Sequence, residues 1–239
     1  MSLHKKLMEN QGLFIAYASM MTAVVFISTI VISISIPATQ GFFNIGEFGV
    51  YLAALTGGPV IGGIAGGLGS AFADIFLGYS HYAPITLIVK GLEGLIVGFL
   101  SIQLRKIRFN RAIGLLASFV AAATSIYIGS SYYIGEAELD LLLNKYVISI
   151  STFIWGLVGV IMLGILFYTT YKNPGRAGDI IAIFIGGFEM MLGYFIAEYI
   201  IYGAGAYVEL LYNLFQVLIG LGLVMIVYPY LETFISGHS

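Results

Sequence analysis

Residues 13–36, LFIAYASMMTAVVFISTIVISISI, run for 24 positions without a charged side chain. A helix of that length reaches about 36 Å, enough to cross a hydrocarbon core of about 30 Å. The run is too long for the core of a signal peptide and no convincing A-x-A cleavage site comes after it, so it is expected to stay as the first membrane span. The rest of the chain is of the same kind. Of 239 residues, 59% are hydrophobic and 9% charged, and the mean hydropathy is +0.99. An ordinary soluble domain carries about 25% charged residues. A soluble fold would have too little polar surface to present to water, and a bilayer is the solvent that fits.

Further apolar segments lie at 46–57, 60–78, 84–104, 112–134, 146–171, 179–202 and 207–231. The first two form one run of about 30 residues, about 45 Å as a helix and too long for a single crossing. Gly57-Gly58-Pro59 divides it into a short helix, a tight turn and a second helix, because proline lacks the N–H and clashes with the preceding turn. The expectation is an all-α polytopic membrane helix bundle of about eight spans, a single integral membrane domain over residues 1–239. With the N-terminus inside, the cytoplasmic segments hold Lys5, Lys6, Arg105, Lys106, Arg108, Arg111, Lys172 and Arg176, eight of the ten Lys and Arg. The outer loops keep only Lys145, beside Glu136, Glu138 and Asp140, and Lys90 falls within a span. That split obeys the positive-inside rule and predicts a multi-pass plasma-membrane protein with both termini in the cytoplasm.

Several functions are disfavoured. The net charge is −2 and no basic run interleaves with aromatics, which argues against nucleic acid. There is no cysteine, no GxxxxGK[ST] phosphate loop, no HExxH and no Cys/His cluster, so neither ATP hydrolysis by that route nor a metal site is expected. Ser70 lacks a nearby histidine to activate it. No enzyme activity and no cofactor are expected.

Glycine is dense at Gly57, Gly58, Gly62, Gly63, Gly66, Gly67 and Gly69. Gly58, Gly62 and Gly66 recur every four residues, leaving one helix face nearly bare for close helix approach. Tight packing accounts for this stripe at least as well as a ligand role does.

The ionisable groups inside apolar segments are the functional clue. A charge at mid-span costs roughly 2.5–3.5 kcal/mol, so each needs a partner or a wet cavity. Lys90 and Glu93 are spaced i,i+3 and can pair on one face, either as a self-neutralising structural pair or with the cation at the floor of a pocket. Asp74 lies one turn from the outer end of its helix. Tyr194, Glu198 and Tyr202 share a helix face, and Glu189, nine residues before Glu198, lies on the opposite side, toward a neighbouring helix or partner. Glu209, Asn213 and Gln216 form a stripe on the last helix. Asn44-Ile45-Gly46-Glu47 matches a capping-box-like start, with Asn44 on the free N–H groups and Glu47 reaching back, or else contacts a ligand. His81 is a solvated loop residue or a ligand contact; Tyr79 and Tyr82 belong to the interfacial aromatic belt or stack on a ring. The candidate substrate-binding set is therefore Asn44, Glu47, Asp74, Tyr79, His81, Tyr82, Lys90, Glu198, Asn213 and Gln216, converging on the outer half.

Residues 41–94, GFFNIGEFGVYLAALTGGPVIGGIAGGLGSAFADIFLGYSHYAPITLIVKGLEG, together with GGFEMMLGYFIAEYIIYG (186–203) and LYNLFQVLIG (211–220), resemble the substrate-binding S components of energy-coupling factor (ECF) vitamin transporters. The riboflavin and hydroxymethylpyrimidine-type group is the nearest. The resemblance implies a membrane-embedded, high-affinity binding subunit whose pocket opens outward. Its implied partners are a small water-soluble vitamin or precursor, a transmembrane T component and two ABC-type ATPases. Such subunits usually have six helices, so residues 111–172 read as an inserted helix pair on that core, an even number that preserves the orientation of the last two spans. The family docks its T component on an Ala-xxx-Ala face of the first helix. Here the equivalents are Ala16 with Ser19-xxx-Ala23, or Ala18-xxx-Thr22. Metal uptake fits less well, since it usually goes with an N-terminal Met-His, and His4 lies on the expected cytoplasmic side.

Two other readings stay open. A self-contained secondary transporter would use Glu93, Glu189 and Lys90 as a proton relay. It needs inverted repeats, of which only an echo between Ala73-Asp74 and Ala197-Glu198 is visible. A non-transporting assembly factor would bind no small molecule.

Overall fold

The computed structural model describes residues 7, 9–36, 39–107, 111–132, 134–141 and 144–237. His4, Lys5, Lys6 and Arg108, used in the orientation and metal arguments above, lie outside the described residues. Helix α1 (Gln11–Val31) begins where Asn10 accepts a hydrogen bond from the Leu13 N–H at 3.0 Å, a side-chain cap on an otherwise unpaired donor. It ends sooner than the uncharged run. Ile32–Ile36 is a strand, β1, so the single span expected over 13–36 is a helix and then a strand. Ile-Ser-Ile-Ser-Ile alternates with period two, its branched side chains favour extended backbone, and Pro37 disfavours helix at the residue before it.

Strand β1 pairs antiparallel with β2 (Gly41–Asn44), Ser33 opposite Asn44 and Ser35 opposite Phe42. Next along the chain come α2 (Gly46–Gly57), α3 (Pro59–Leu77), α4 (Ala83–Leu104), α5 (Arg111–Tyr132), the hairpin β3 (Gly135–Leu141) and β4 (Asn144–Ile150), α6 (Thr152–Lys172), α7 (Arg176–Tyr202) and α8 (Ala206–Gly237). Strand β3 also joins β1, with Ile32 opposite Leu141, giving a four-stranded sheet in the order β2-β1-β3-β4. The protein is an all-α polytopic membrane bundle with this small sheet added at one end. The acidic loop expected between α5 and α6 is the β3–β4 hairpin.

Six helical segments are long and apolar enough to cross a membrane. The last, Arg176–Thr233, turns back at Gly203–Gly205, where Gly203 takes a φ of +61°, and its halves α7 and α8 pack together. Helix α2 is not among the six. Its 12 residues reach about 18 Å, and all but Phe48 are buried. The described residues thus hold seven full-length helices around a short central one, the short helix expected over 46–57.

Gly58 separates α2 from α3 with a φ of +81°, and Pro59 opens α3. Beyond that turn α3 lies against α4 backbone to backbone. A Cβ on Gly66 would meet the Lys90 carbonyl oxygen at 2.6 Å, and one on Gly94 would meet that of Gly62 at 2.2 Å. The glycine stripe is a helix-packing face, and it brings Lys90 and Glu93 alongside α2.

At the opposite end from the sheet, Arg105 donates to Asp179 Oδ1 at 2.6 Å. Arg176 bridges Asp179, at 3.2 Å, to Glu232. The Arg105 and Arg176 guanidinium groups lie 5.1 and 4.2 Å from the centre of the Tyr228 ring. Two of the cations in the orientation argument are therefore also structural, tying α4, α7 and α8. On α1, Ala16, Ser19 and Ala23 are exposed on one face, whereas Ala18 is buried and Thr22, half-buried, donates to the Ala18 carbonyl at 2.8 Å. The pair Ala18-xxx-Thr22 therefore faces the bundle. Helices α5 and α6 pack chiefly on each other and touch α7 and α8 along a narrower seam, beside an apolar cavity of about 180 Å³ lined by Ser125, Val158, Met162, Phe215 and Leu218.

Candidate functional site

Six elements meet beneath the sheet around a polar cavity of about 40 Å³, room for about three water molecules. Helix α1 supplies Thr29; β2 supplies Gly41, Phe42 and Asn44; α3 supplies Ser70 and Asp74. Tyr82, Thr86 and Lys90 come from α4 and the turn before it, Tyr194 and Glu198 from α7, and Glu209, Asn213 and Gln216 from α8.

The floor is a buried ion cluster. Lys90 donates to Glu47 and, at 3.2 Å, to Glu93, whose other oxygen accepts from the Tyr51 hydroxyl at 2.9 Å. The i,i+3 pair expected from sequence is present, with Glu47 as a third member. Glu47 does not reach back to cap its own helix. Asn44 Oδ1 already takes the Gly46 N–H at 2.7 Å, and the fully buried Glu47 carboxylate is instead paired with the Lys90 ammonium, which offsets the cost of burying it. Gly220 lets the α8 backbone lie against α2 here, since a Cβ on it would fall 2.4 Å from the Glu47 Cβ.

The roof is the β1–β2 hairpin and its ties. The Tyr82 hydroxyl donates to the Thr39 carbonyl at 2.9 Å, and Thr39 Oγ1 donates to Glu209 at 2.9 Å. A Cβ on Gly41 would lie 2.5 Å from Glu209 Oε1, so a larger residue there would make that carboxylate shift. Burial, reinforced by the Glu198 and Glu209 carboxylates, pushes the Tyr82 phenol above its ordinary pKa, which keeps it a hydrogen-bond donor. Across the wall, the Tyr194 hydroxyl donates to Thr86 Oγ1 at 3.0 Å. Gln216 Nε2 approaches Asn213 Oδ1 at 3.4 Å.

Seven expected residues line the cavity together: Asn44, Asp74, Tyr82, Lys90, Glu198, Asn213 and Gln216. Three do not. Glu47 lies under the floor as the Lys90 partner. Tyr79 sits behind the roof, stacked on Phe42 with ring centres 4.6 Å apart. His81 is exposed, its ring 4.8 Å from that of Tyr82, as a solvated loop side chain would be. Glu189 does not line the cavity; it is half-buried within electrostatic reach of Glu93 and Lys90.

Thr29, Phe42, Ser70, Thr86, Tyr194 and Glu209 line the cavity outside the expected set. Tyr194 and Glu209 belong to polar stripes legible in the sequence. Thr29, Ser70 and Thr86 are single hydroxyls in apolar helices, where back-bonding within the helix is the commoner use, and Phe42 depends on a hairpin that helical periodicity hides.

A profile of the family described as "ECF-type riboflavin transporter, S component" matches residues 13–136. The chain belongs to this family. A curated relative, "Uncharacterized protein in gap 3'region" of Pyrococcus woesei, is 48% identical over 75 residues, 31% of this chain and 50% of that protein. The chain thus spans about half the length of the curated relative it matches. No solved structure matches. In this S-component family member the matched segment supplies α1 to α5, including Asn44, Asp74, Tyr82 and Lys90. Glu198, Glu209, Asn213 and Gln216 come from beyond it. The cavity closes only where the two halves of the chain meet.

Proposed function

We propose that this protein is the membrane-embedded substrate-binding subunit of an ECF-type ABC importer for a small water-soluble vitamin or vitamin precursor. The observation that carries the reading is the polar cavity at one end of an otherwise apolar bundle, with side chains from six elements converging on it. The sheet end faces outward, so that the cavity meets external solute, and both termini are cytoplasmic. The chain has no nucleotide-binding motif, and energy comes from two ABC-type ATPases through a T component docked on the exposed Ala16, Ser19 and Ala23 face of α1. The binding set is the seven cavity-lining residues with Tyr194 and Glu209 added and Glu47 supporting Lys90; Tyr79 acts through Phe42. Residues 111–172 are an inserted pair, which their preferential packing on each other supports.

One observation favours a second reading. The Glu47–Lys90–Glu93 cluster, with Glu189 nearby, is the kind of carboxylate–lysine relay a self-contained secondary transporter would use. Purified protein should release a small vitamin-like molecule detectable by mass spectrometry. In proteoliposomes, uptake of that molecule should require co-reconstituted T component, ATPases and ATP. Uptake by this chain alone under a proton gradient would establish the secondary transporter instead, and a protein that binds no small molecule would be an importer subunit in neither sense.

A further inference from the structure

We infer that the groove between α6 and α8, at the end away from the sheet, holds a membrane lipid with an anionic phosphate head group. Its phosphate sits on Lys172 and an acyl chain lies along the seam. The site is separate from the polar cavity and goes beyond the importer reading.

The groove has two parts. A cavity of about 650 Å³ is bounded by the C-terminal end of α6, the start of α7 and the C-terminal half of α8. Ile165 and Ile226 line it and also line the apolar cavity of about 180 Å³ described above, so each runs on into the other along the seam. On α8 the apolar part extends from Phe215 to Ile226, a helix rise of about 16 Å. That is about half of a 30 Å hydrocarbon core, the depth of one leaflet.

The floor of this groove is protein and its rim faces the bilayer. Met162, Phe215 and Met225 are buried, whereas Ile161, Tyr168 and Tyr230 are exposed. Helices in lipid are held together by close packing, because no hydrophobic effect draws them to each other. Helix α6 nevertheless meets α8 along a narrow seam. An acyl chain laid in the groove supplies the contacts that the two helices do not make directly.

The mouth carries the charge. Lys172, Arg176 and Glu232 line it. Glu232 is held by Arg176, which also bonds Asp179, and Asp179 in turn accepts from Arg105. In that network the cations and carboxylates cancel. Lys172 is left over: among the described residues it pairs with no carboxylate, and its ammonium lies 5.6 Å from the centre of the Tyr168 ring. Beside it in the lining, Asn173 takes the Gly175 N–H on its side-chain oxygen at 3.1 Å, which leaves its NH2 as a donor. An ammonium and an amide NH2 together suit a phosphate, through a charge-assisted bond. A zwitterionic head group brings its own ammonium to the same place and cancels the gain. The exposed Tyr168 and Tyr230 are the aromatic residues expected at the membrane–water interface, the level of a lipid phosphate. A lysine that only snorkelled to the interface would discriminate no better than Lys106, which is exposed at the same end on Gln103 Oε1 at 3.0 Å and lies outside the cavity.

The test is a thermal melt of the delipidated full-length protein in detergent, with phosphatidylglycerol or phosphatidylcholine added at equal molar ratio, and native mass spectrometry to count bound lipid. Phosphatidylglycerol should bind about fivefold tighter or more and raise the melting temperature by about 4 °C or more. Lys172→Gln should bring the two lipids within about twofold of each other, while Lys106→Gln should keep the preference. Gly222 lines the apolar part, and a Cβ on it would meet only Met162 Sδ, at 3.9 Å. Gly222→Leu should therefore fill the groove and displace both lipids, with an unshifted elution profile certifying the fold. Equal response to both lipids, equal loss in the two lysine variants, or lipid binding unchanged in Gly222→Leu would each overturn the inference. Glycerol 3-phosphate stabilising as strongly as the lipid would overturn it in favour of a soluble anion. A dimer that Gly222→Leu dissociates, with no lipid bound, would overturn it in favour of a second copy of the chain.

Discussion

Lys90 is 4% exposed and meets two carboxylates that are fully buried, Glu47 and Glu93. Breaking a buried pair from one side leaves an uncompensated charge behind. Lys90→Met should therefore cost about 3–5 kcal/mol, read as a lowered melting temperature in detergent, and adding Glu47→Gln should recover part of it. A double variant no more stable than the single one would show that Glu47 is not the partner that matters. Asn213, by contrast, accepts a long hydrogen bond from Gln216 and opens onto the cavity. Asn213→Ala removes a contact worth about 1–3 kcal/mol when a ligand is buried on it, a loss of about tenfold to hundredfold in affinity. Glu189→Gln should leave affinity nearly unchanged in the same titration, because Glu189 does not line the cavity. The i,i+3 spacing made the Lys90–Glu93 pair legible in the sequence. Nothing local announced Glu47, 43 residues away, because that contact exists only once α2 and α4 lie side by side.

Helices α3 and α4 approach until backbone meets backbone, and their glycines are unequal in this. A Cβ on Gly94 would stand 2.2 Å from the Gly62 carbonyl oxygen, whereas one on Gly91 would meet its nearest atom at 3.5 Å. Gly94→Ala should force the helices apart, lowering the yield of folded protein and the affinity together, while Gly91→Ala should be tolerated. Equal tolerance of both, judged by size-exclusion profile and ligand titration, would show that the two helices can separate without penalty. Helix α1 offers the opposite case, a face of small residues left exposed. Ser19→Leu with Ala23→Leu fills that face without touching the cavity. Uptake in the reconstituted complex should fall while ligand binding by the isolated subunit holds. Loss of both would make the face structural. The boundary of α1 is where helical reasoning failed: hydropathy cannot distinguish helix from strand in VISISI, and the alternation with Pro37 decided for the strand.

The molecule as a whole has a sheet end and a basic end. Cysteine is absent from the sequence, so introduced cysteines label cleanly. Ile134, beside the β3–β4 hairpin, and Ile107, beyond α4, are both exposed. With the orientation proposed, an impermeant thiol reagent on intact cells should modify Ile134→Cys from outside and Ile107→Cys only after lysis. The reverse pattern would invert the molecule and point the cavity at the cytoplasm.

Class and solvent were legible in the chain itself. Apolar length, the Gly57-Gly58-Pro59 break and the polar stripes on single helices are local properties, set by 3.6-residue periodicity and the bilayer's demand that backbone polar groups be satisfied within the segment. Asn213 and Gln216 could be found that way, three residues apart on one helix. What local pattern could not convey was juxtaposition. The roof comes from a hairpin whose strands look like helix ends, the floor from a carboxylate that resembled a cap, and the walls from α3 and α7, whose Asp74 and Glu198 are 124 positions apart. These groups share one cavity because packing α2 at the centre, against α1, α3, α4 and α8, leaves their polar ends nowhere else to meet, and that arrangement is a property of the packed bundle.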